Sequence, residues 1–314
     1  MLFVHTMKGW DIVKQASHSG TPNRMETTTK SFVGQFGPWA VVTGASSGIG
    51  EAFARRLAEI GLSLVLVARR EDRLRKLADD LKSQHSVHTQ VVVADLSHHD
   101  FMPLIEQATD DMQVGLLVNC AGIATTGHFL DNDLASELTL LHVNNCAPLI
   151  LAHHFGRSMR NRHRGGIIFV SSTVALAGVP AWSNYAASKA HDLVFAEGLA
   201  RALRGEGISV LAVCPGPTQT ELWPAGTRPF FPMEPDVVVD IASKKLGVKT
   251  SVVAGRLNSI IAFSTRLLPR SWNARIFGRA IGGMLEEVKK PTPIPTEQAQ
   301  PAPGRSGRSR KALP

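Results

Sequence analysis

Residues 39–53 read WAVVTGASSGIGEAF. The run WAVV is apolar without a polar break, as a strand covered on both faces must be. From Glu51 the chain reads EAFARRLAEI, an amphipathic helical pattern. Between them lies TGASSGIG, residues 43–50. Its glycines permit a tight turn and let backbone N–H groups approach a pyrophosphate, and the helix N-terminus adds partial positive charge. A glycine-rich turn can also do nothing but connect two elements. The position between a first strand and a first helix predicts a nucleotide loop built from Gly44, Ser46, Gly48, Ile49 and Gly50.

Six further apolar runs follow: LSLVLVA (62–68), TQVVVAD (89–95), VGLLVNCAG (114–122), GGIIFVSS (165–172), ISVLAVCPG (208–216) and SVVAG (251–255). Helical patterns separate most of them. The alternation predicts an α/β fold, a doubly wound parallel seven-stranded sheet of the Rossmann type with a C-terminal helical extension. We assign residues 1–35 to an N-terminal extension, 36–288 to one domain (256–288 being the helical extension) and 289–314 to a disordered basic tail. That tail is rich in Pro, Gly and Arg and has too little apolar bulk to offset chain entropy.

Apolar residues make up 44% of the chain and charged residues 19%, enough to bury a full core. No apolar run approaches the roughly 18 residues of a membrane span, and the first residues do not read as a signal peptide. Cys120, Cys146 and Cys214 are too few and too scattered for a disulfide framework or a zinc site, so a reducing cytoplasm is expected and no metal. His98-His99 and His153-His154 are adjacent pairs that do not converge on one helix face. The net charge of +8 is concentrated late: from Gly255 to Gly283 there are five arginines and no acid.

Two stretches carry chemistry. The second strand run ends at Ala68-Arg69-Arg70, where folds that prefer NAD usually place an acid for the ribose 2′-hydroxyl. A guanidinium instead clamps a 2′-phosphate, so Arg69 predicts NADP(H); solvated arginines at a strand end are the alternative. The other is NYAASKA, 184–190, which holds the chain's one tyrosine, Tyr185, four residues before Lys189. Reducing a ketone by hydride requires a proton for the developing alkoxide. A phenol has the reach, but its ordinary pKa is about 10; reaching ~7 takes about 4 kcal/mol of differential stabilisation. Lys189 shares a helix face with Tyr185 and brings positive charge to it. Taken alone, the pair could be a solvated one.

TGASSGIG, Asp95-Leu96, NCAG (119–122), VNN (143–145), VSS (170–172), YAASK (185–189) and PGPTQT (215–220) together resemble the short-chain dehydrogenase/reductase family, in its order and spacing, over about residues 36–255. The resemblance implies a catalytic set of Asn144, Ser172, Tyr185 and Lys189. Tyr185 is the acid/base, Lys189 tunes it and binds ribose, Ser172 positions the carbonyl and Asn144 holds a relay water. Pro148, four residues beyond Asn144, cannot donate to the Asn144 carbonyl and leaves it free to accept; a kinked helix without function is the alternative. The same resemblance assigns Asp95 and Leu96 to adenine, Asn119 and Gly122 to the adenosine side, and Pro215, Gly216, Thr218 and Thr220 to the nicotinamide and diphosphate. It also counts Tyr185 and Lys189 among the cofactor's contacts.

The expectation is therefore an NADP(H)-dependent oxidoreductase acting on a small-molecule carbonyl or alcohol, with no nucleic acid as partner. The alternative is a catalytically silent NADP-binding scaffold or sensor. ELWPAGTRPFFPM (221–233), with Trp223, Phe230 and Phe231, suggests an apolar substrate such as a fatty acyl, steroid-like or terpenoid carbonyl; the same aromatics could simply pack a lid. Helices over 134–161 and 185–204 predict a homodimer or homotetramer. The basic stretch 256–290 predicts two helices broken near Pro269. They could make weak peripheral contact with a membrane, or pack on protein instead.

Overall fold

The computed structural model describes residues 31–223 and 231–285, with side chains to Arg279. All seven strand runs form strands: β1 (Trp39–Thr43), β2 (Ser63–Ala68), β3 (Thr89–Val93), β4 (Val114–Asn119), β5 (Gly165–Val170), β6 (Ile208–Cys214) and β7 (Ser251–Val253). They pair in parallel in the order β3-β2-β1-β4-β5-β6-β7. The order reverses between β1 and β4, and ligands of open α/β sheets bind in the crevice beyond such a switch point.

Helices cover both faces. α1 (Gly48–Ile60), α2 (Glu71–His85) and α7 (Pro235–Lys245) cover one; α3 (Phe101–Thr109), α5 (Ala147–Asn161) and α6 (Ser183–Ala202) cover the other. The period of two along each strand divides the core accordingly. Val42, Leu64, Leu66 and Val118 pack with Phe53, Leu57 and Leu74 on the first face. Val41, Val65, Val67 and Leu117 pack with Ile105, Leu151 and Phe155 on the second. The short helix α4 (Leu134–Leu141) runs into α5 through a wide π turn at His142–Cys146.

Residues 31–36, at the end of the predicted extension, form a helical turn. Phe36 is buried in the first core, and Phe32 and Val33 pack against it. The C-terminal extension is two helices, α8 (Arg256–Ser264) and α9 (Arg270–Leu285), broken around Pro269 as expected. Asn273 donates to the carbonyls of Thr265 and Leu268 and fastens the elbow between them. Phe230, residues 1–30 and the basic tail lie outside the described residues. No helix among the described residues is long and apolar enough to cross a membrane.

Candidate active site

The loop after β1 stands at the switch point. Gly44 and Gly48 take positive φ, 67° and 56°. A Cβ on Gly50 would sit 2.2 Å from the Gly44 carbonyl, so α1 can begin this close to the turn only with glycine there. Ile49 is half-buried against the first core. Ser47 caps α1 without a side-chain hydrogen bond, which leaves the helix's first N–H groups to the crevice. Thr220 packs against Gly48, bringing the PGPTQT stretch onto the loop. Thr218 is buried and donates to the Gly216 carbonyl at 3.0 Å; Pro215 is buried beside it.

The two arginines part company. Arg69 is exposed. Arg70 bends over the loop: it donates to Ser46 Oγ through Nε (3.1 Å) and Nη2 (3.0 Å), and to Ser47 Oγ at 2.8 Å. Glu221 bridges Arg70 and Arg73, and these two arginines hold its carboxyl below the usual carboxylate range. A corner of hydroxyls and guanidinium thus exists at the end of β2, with Arg70 at its centre and the Glu221 carboxylate on it.

At the end of β4, Asn119 is buried, and neither its amide oxygen nor its amide nitrogen has a partner among the described residues. Two orphaned polar atoms at the end of β4, beside the switch point, fit a polar ligand that supplies what the protein does not. Asp95 is half-buried and accepts from the Ser97 N–H at 2.9 Å, Leu96 is buried, and Gly122 is exposed beside Lys189. With the glycine turn and the arginine corner, these residues fit an extended dinucleotide bearing a terminal phosphate.

Tyr185, Lys189, Ser172 and Asn144 do come together. Tyr185 is buried, 5% exposed, in the first turn of α6. Ser171 and Ser172 point apart, as strand alternation requires. Ser171 donates to the Lys189 carbonyl at 2.7 Å, away from the crevice. The Ser172 hydroxyl accepts from the Val174 N–H and faces the phenol, favouring its ionised form. The Asn144 side chain is fully engaged: Oδ1 accepts from the Ile123 N–H at 2.9 Å, while Nδ2 donates to the Ile123 carbonyl (2.9 Å) and Ser188 Oγ (3.0 Å). With both side-chain N–H donors taken, a relay through Asn144 would call on a carbonyl oxygen, that of the backbone among them. The π turn supplies the means, since the Ala147 N–H reaches back to His142 and the ladder is widened around residue 144.

The positive charge of Lys189 favours the ionised phenol, and the ammonium is itself held by the protein. Its Nζ donates to the Val170 carbonyl at 2.9 Å and to Asp192 Oδ2 at 3.0 Å. Burial would depress the ammonium, but the Asp192 carboxylate beside it outweighs burial and the pKa is raised. The phenol is not brought down toward neutrality by the chain's own groups. Burial raises it, Lys189 opposes, and Asp192 raises it further. The Cys120 thiol is pushed up to about 12 by burial, so it stays neutral.

Aromatic rings wall the phenol. Trp182 lies edge-on to Tyr185, centroids 5.4 Å apart, and Trp223 tilts against Trp182 at 5.2 Å. The Trp182 indole donates to Thr126 Oγ1 and that of Trp223 to the Thr218 carbonyl, which fixes both rings. Leu140, Val174 and Val179 complete the cluster, and Phe277 of α9 packs on it. Phe231 is 81% exposed and takes no part.

A doubly wound sheet with a glycine turn, an arginine corner and a buried tyrosine–lysine pair at its switch point defines a dinucleotide-dependent oxidoreductase. Residues 38–228 match the family model for short chain dehydrogenase, and the chain belongs to that family. It is 31% identical over 232 residues to the 7beta-hydroxysteroid dehydrogenase of Collinsella aerofaciens, covering 71% of this chain and 88% of the relative. It is 28% identical over 246 residues to the very-long-chain 3-oxoacyl-CoA reductase of Rattus norvegicus, covering 77% and 79%. Among solved structures, a short-chain dehydrogenase from Sphingobium yanoikuyae in complex with NADPH matches with a TM-score of 0.66 at 31% identity, over 84% of this chain and 99% of that one.

The motifs alone did not single out Arg70, Trp182, Glu221 or Asp192. The Arg70 signal was its place beside Arg69, and that of Asp192 its i+3 spacing from Lys189.

Proposed function

We propose that this oxidoreductase uses NADP(H) to interconvert a bulky, apolar ketone, steroid-like in size, and its alcohol. The observation that carries the substrate class is the aromatic wall Trp182–Trp223–Phe277 beside Tyr185. A flat apolar body buries well against such rings, while a small polar ketone would leave them wet. The relatives act in name on steroids and very-long-chain acyl groups, which fits the same chemistry. NADP(H), when bound, supplies or takes up the hydride. The glycine turn, Thr218 and Thr220 would hold the diphosphate. Asp95, Leu96, Asn119 and Gly122 would line the adenosine side, Pro215 and Gly216 the nicotinamide side, and Arg69 with Arg70 the 2′-phosphate.

The chain's own residues handle the proton and the carbonyl. Ser172 Oγ donates to the carbonyl oxygen and aligns it. Tyr185 Oη gives its proton to that oxygen as negative charge builds there, and takes one back in the oxidative direction. The Lys189 ammonium steadies the phenolate. Water held at the Asn144 backbone carbonyl returns the proton. The aromatic rings keep bulk water from the reacting oxygen. A panel of steroid, terpenoid and 3-oxoacyl ketones beside small polar ketones tests the substrate class. We expect Trp223→Ala to raise KM for the bulky ketones about tenfold, by loss of one to two kcal/mol of apolar contact, and to leave small ketones unaffected. Equal efficiency with small polar ketones would overturn this reading.

Assembly and surface contact rest on exposed apolar faces. Leu138 and Leu149, on α4 and α5, and Val194 on α6 are 50%, 44% and 67% exposed, whereas Leu193, Leu199 and Leu203 pack on the core. These exposed residues support a homo-oligomer through the paired helices. α8 buries only Ala262 and turns Ile260 and Phe263 outward; Leu267, Trp272 and Ile276 continue the patch, interleaved with exposed Arg266, Arg270 and Arg275. An apolar face studded with cations and lacking acids suits an anionic lipid surface. Sedimentation with and without anionic vesicles reads both. A dimer or tetramer that pellets with vesicles at low salt and is released by high salt is expected. A monomer would contradict the first, and no pelleting at low salt the second.

A further inference from the structure

Asp192 lies one turn beyond Lys189 on α6 and has no part in the proton and carbonyl chemistry proposed for the site. It is 3% exposed. Its Oδ2 accepts from Lys189 Nζ at 3.0 Å; its Oδ1 is equally buried and has no hydrogen-bond partner among the described residues, with the His191 ring Nδ1 3.9 Å away. A carboxylate half satisfied in the interior is a costly way to fill space, and a buried ion pair is often no more stable than apolar residues of the same volume. The position therefore asks for a reason beyond packing. Lys189 gives one. Of its three N–H donors, one goes to Val170 and one to Asp192. Gly122 comes close to the ammonium: a Cβ built there would lie 3.6 Å from Nζ.

We infer that Asp192 is a positioning residue of the acid/base site, which anchors the Lys189 ammonium from below and cancels part of its charge, so that Tyr185 keeps its proton to higher pH than Lys189 alone would allow. The functional consequence rests on the reading of Tyr185 as the acid; the effect on the phenol does not. Among the described residues, few titratable or charged groups face Tyr185. Lys189 and Asp192 come from α6 itself, and the Cys120 thiol comes from the end of β4; the Ser172 hydroxyl, beyond β5, is polar but does not titrate. Cys214 in β6 sits behind the pair, its thiol also pushed up to about 12 by burial and hence neutral. Among the described residues that face the phenol, Asp192 is the one carboxylate that offsets the ammonium. The protonated phenol is the form that donates in reduction, and the phenolate is the form that accepts in oxidation. Asp192 thus poises the site for carbonyl reduction at neutral pH and moves alcohol oxidation to alkaline pH.

The chain's single tyrosine makes the test direct. Near-ultraviolet phenolate absorbance titrates Tyr185 and no other residue, with neither cofactor nor substrate present. We expect Asp192→Asn, which keeps size and shape, to lower the titration midpoint by about one unit, a tenfold change in proton affinity, over the range where circular dichroism stays native. A variant that titrates within that range while the parent does not supports the inference equally. A folded variant whose midpoint stays at the parent's value overturns it. If D192N does not fold, the double replacement Lys189→Met/Asp192→Leu removes the pair together. A midpoint close to the parent's then supports mutual cancellation, and a strongly raised one shows that Lys189 acts without opposition and overturns the inference. Because no turnover is measured, failure here is distinct from failure of the catalytic reading, which Tyr185→Phe tests.

Discussion

Replacing Tyr185 by Phe lowers the rate of ketone reduction about 10²–10⁴-fold, the range that a positioned proton donor contributes. The substitution is clean. The ring keeps its edge-on contact with Trp182, 5.4 Å away, and its place in the apolar cluster, so the fold loses one hydroxyl and no packing. What disappears is the proton delivered to the carbonyl oxygen. Since the loss falls on a group that acts as charge develops, kcat falls while KM for the ketone moves little. The pH profile follows from the same site. Burial raises the phenol above its ordinary value, so Tyr185 is protonated throughout the neutral range and reduction stays level there. Oxidation of the alcohol, which requires the phenolate, climbs with pH. The linkage sign agrees: a pKa raised on folding stabilises the fold at pH values below the ordinary phenol range and ceases to do so as pH rises through the folded value. Steady-state rates in both directions across pH check these statements together.

The second large effect is on the choice of cofactor. NADPH is preferred to NADH, and Arg70→Asp reduces that preference about tenfold to hundredfold, the worth of one or two charge-assisted hydrogen bonds. The guanidinium of Arg70 is already held in place by Ser46 and Ser47, so little ordering is needed when a phosphate arrives. Glu221 stands in for that anion, bridging Arg70 and Arg73. Arg69→Asp moves preference the same way, through the repulsion of a carboxylate at the end of β2. Ratios of kcat/KM with the two cofactors decide it. Comparable values in the parent enzyme would refute the arginine assignment.

The fold was legible because its central strands are buried on both faces. Runs such as LVLVA and GLLVN admit few other readings, and each of the seven became a strand. Several site motifs were legible for a related reason: those of Ser46, Asn119, Ser172 and Thr218 follow strand ends, so placing the strands places them at one edge of the sheet. What could not be read was direction. Periodicity shows that Ile260 and Phe263 lie on a helix of mixed character, but not that α8 turns them outward. Adjacency puts Arg69 and Arg70 together, but the turn after β2 decides which one bends over the loop. Asp192 was in plain view three residues from Lys189. A sequence looks for the lysine's partner along the tyrosine's face, and only the packing of α6 against β5 and β6 shows the ammonium drawn the other way.

NADPH oxidation by a bulky steroid ketone, measured for the parent and for Tyr185→Phe beside a fluorescence titration of NADPH binding to both, tests the central claim most directly. The account predicts that the parent turns the ketone over and that the variant binds NADPH as the parent does but loses about 10²-fold or more in rate. A variant that reduces the ketone as fast as the parent would contradict it.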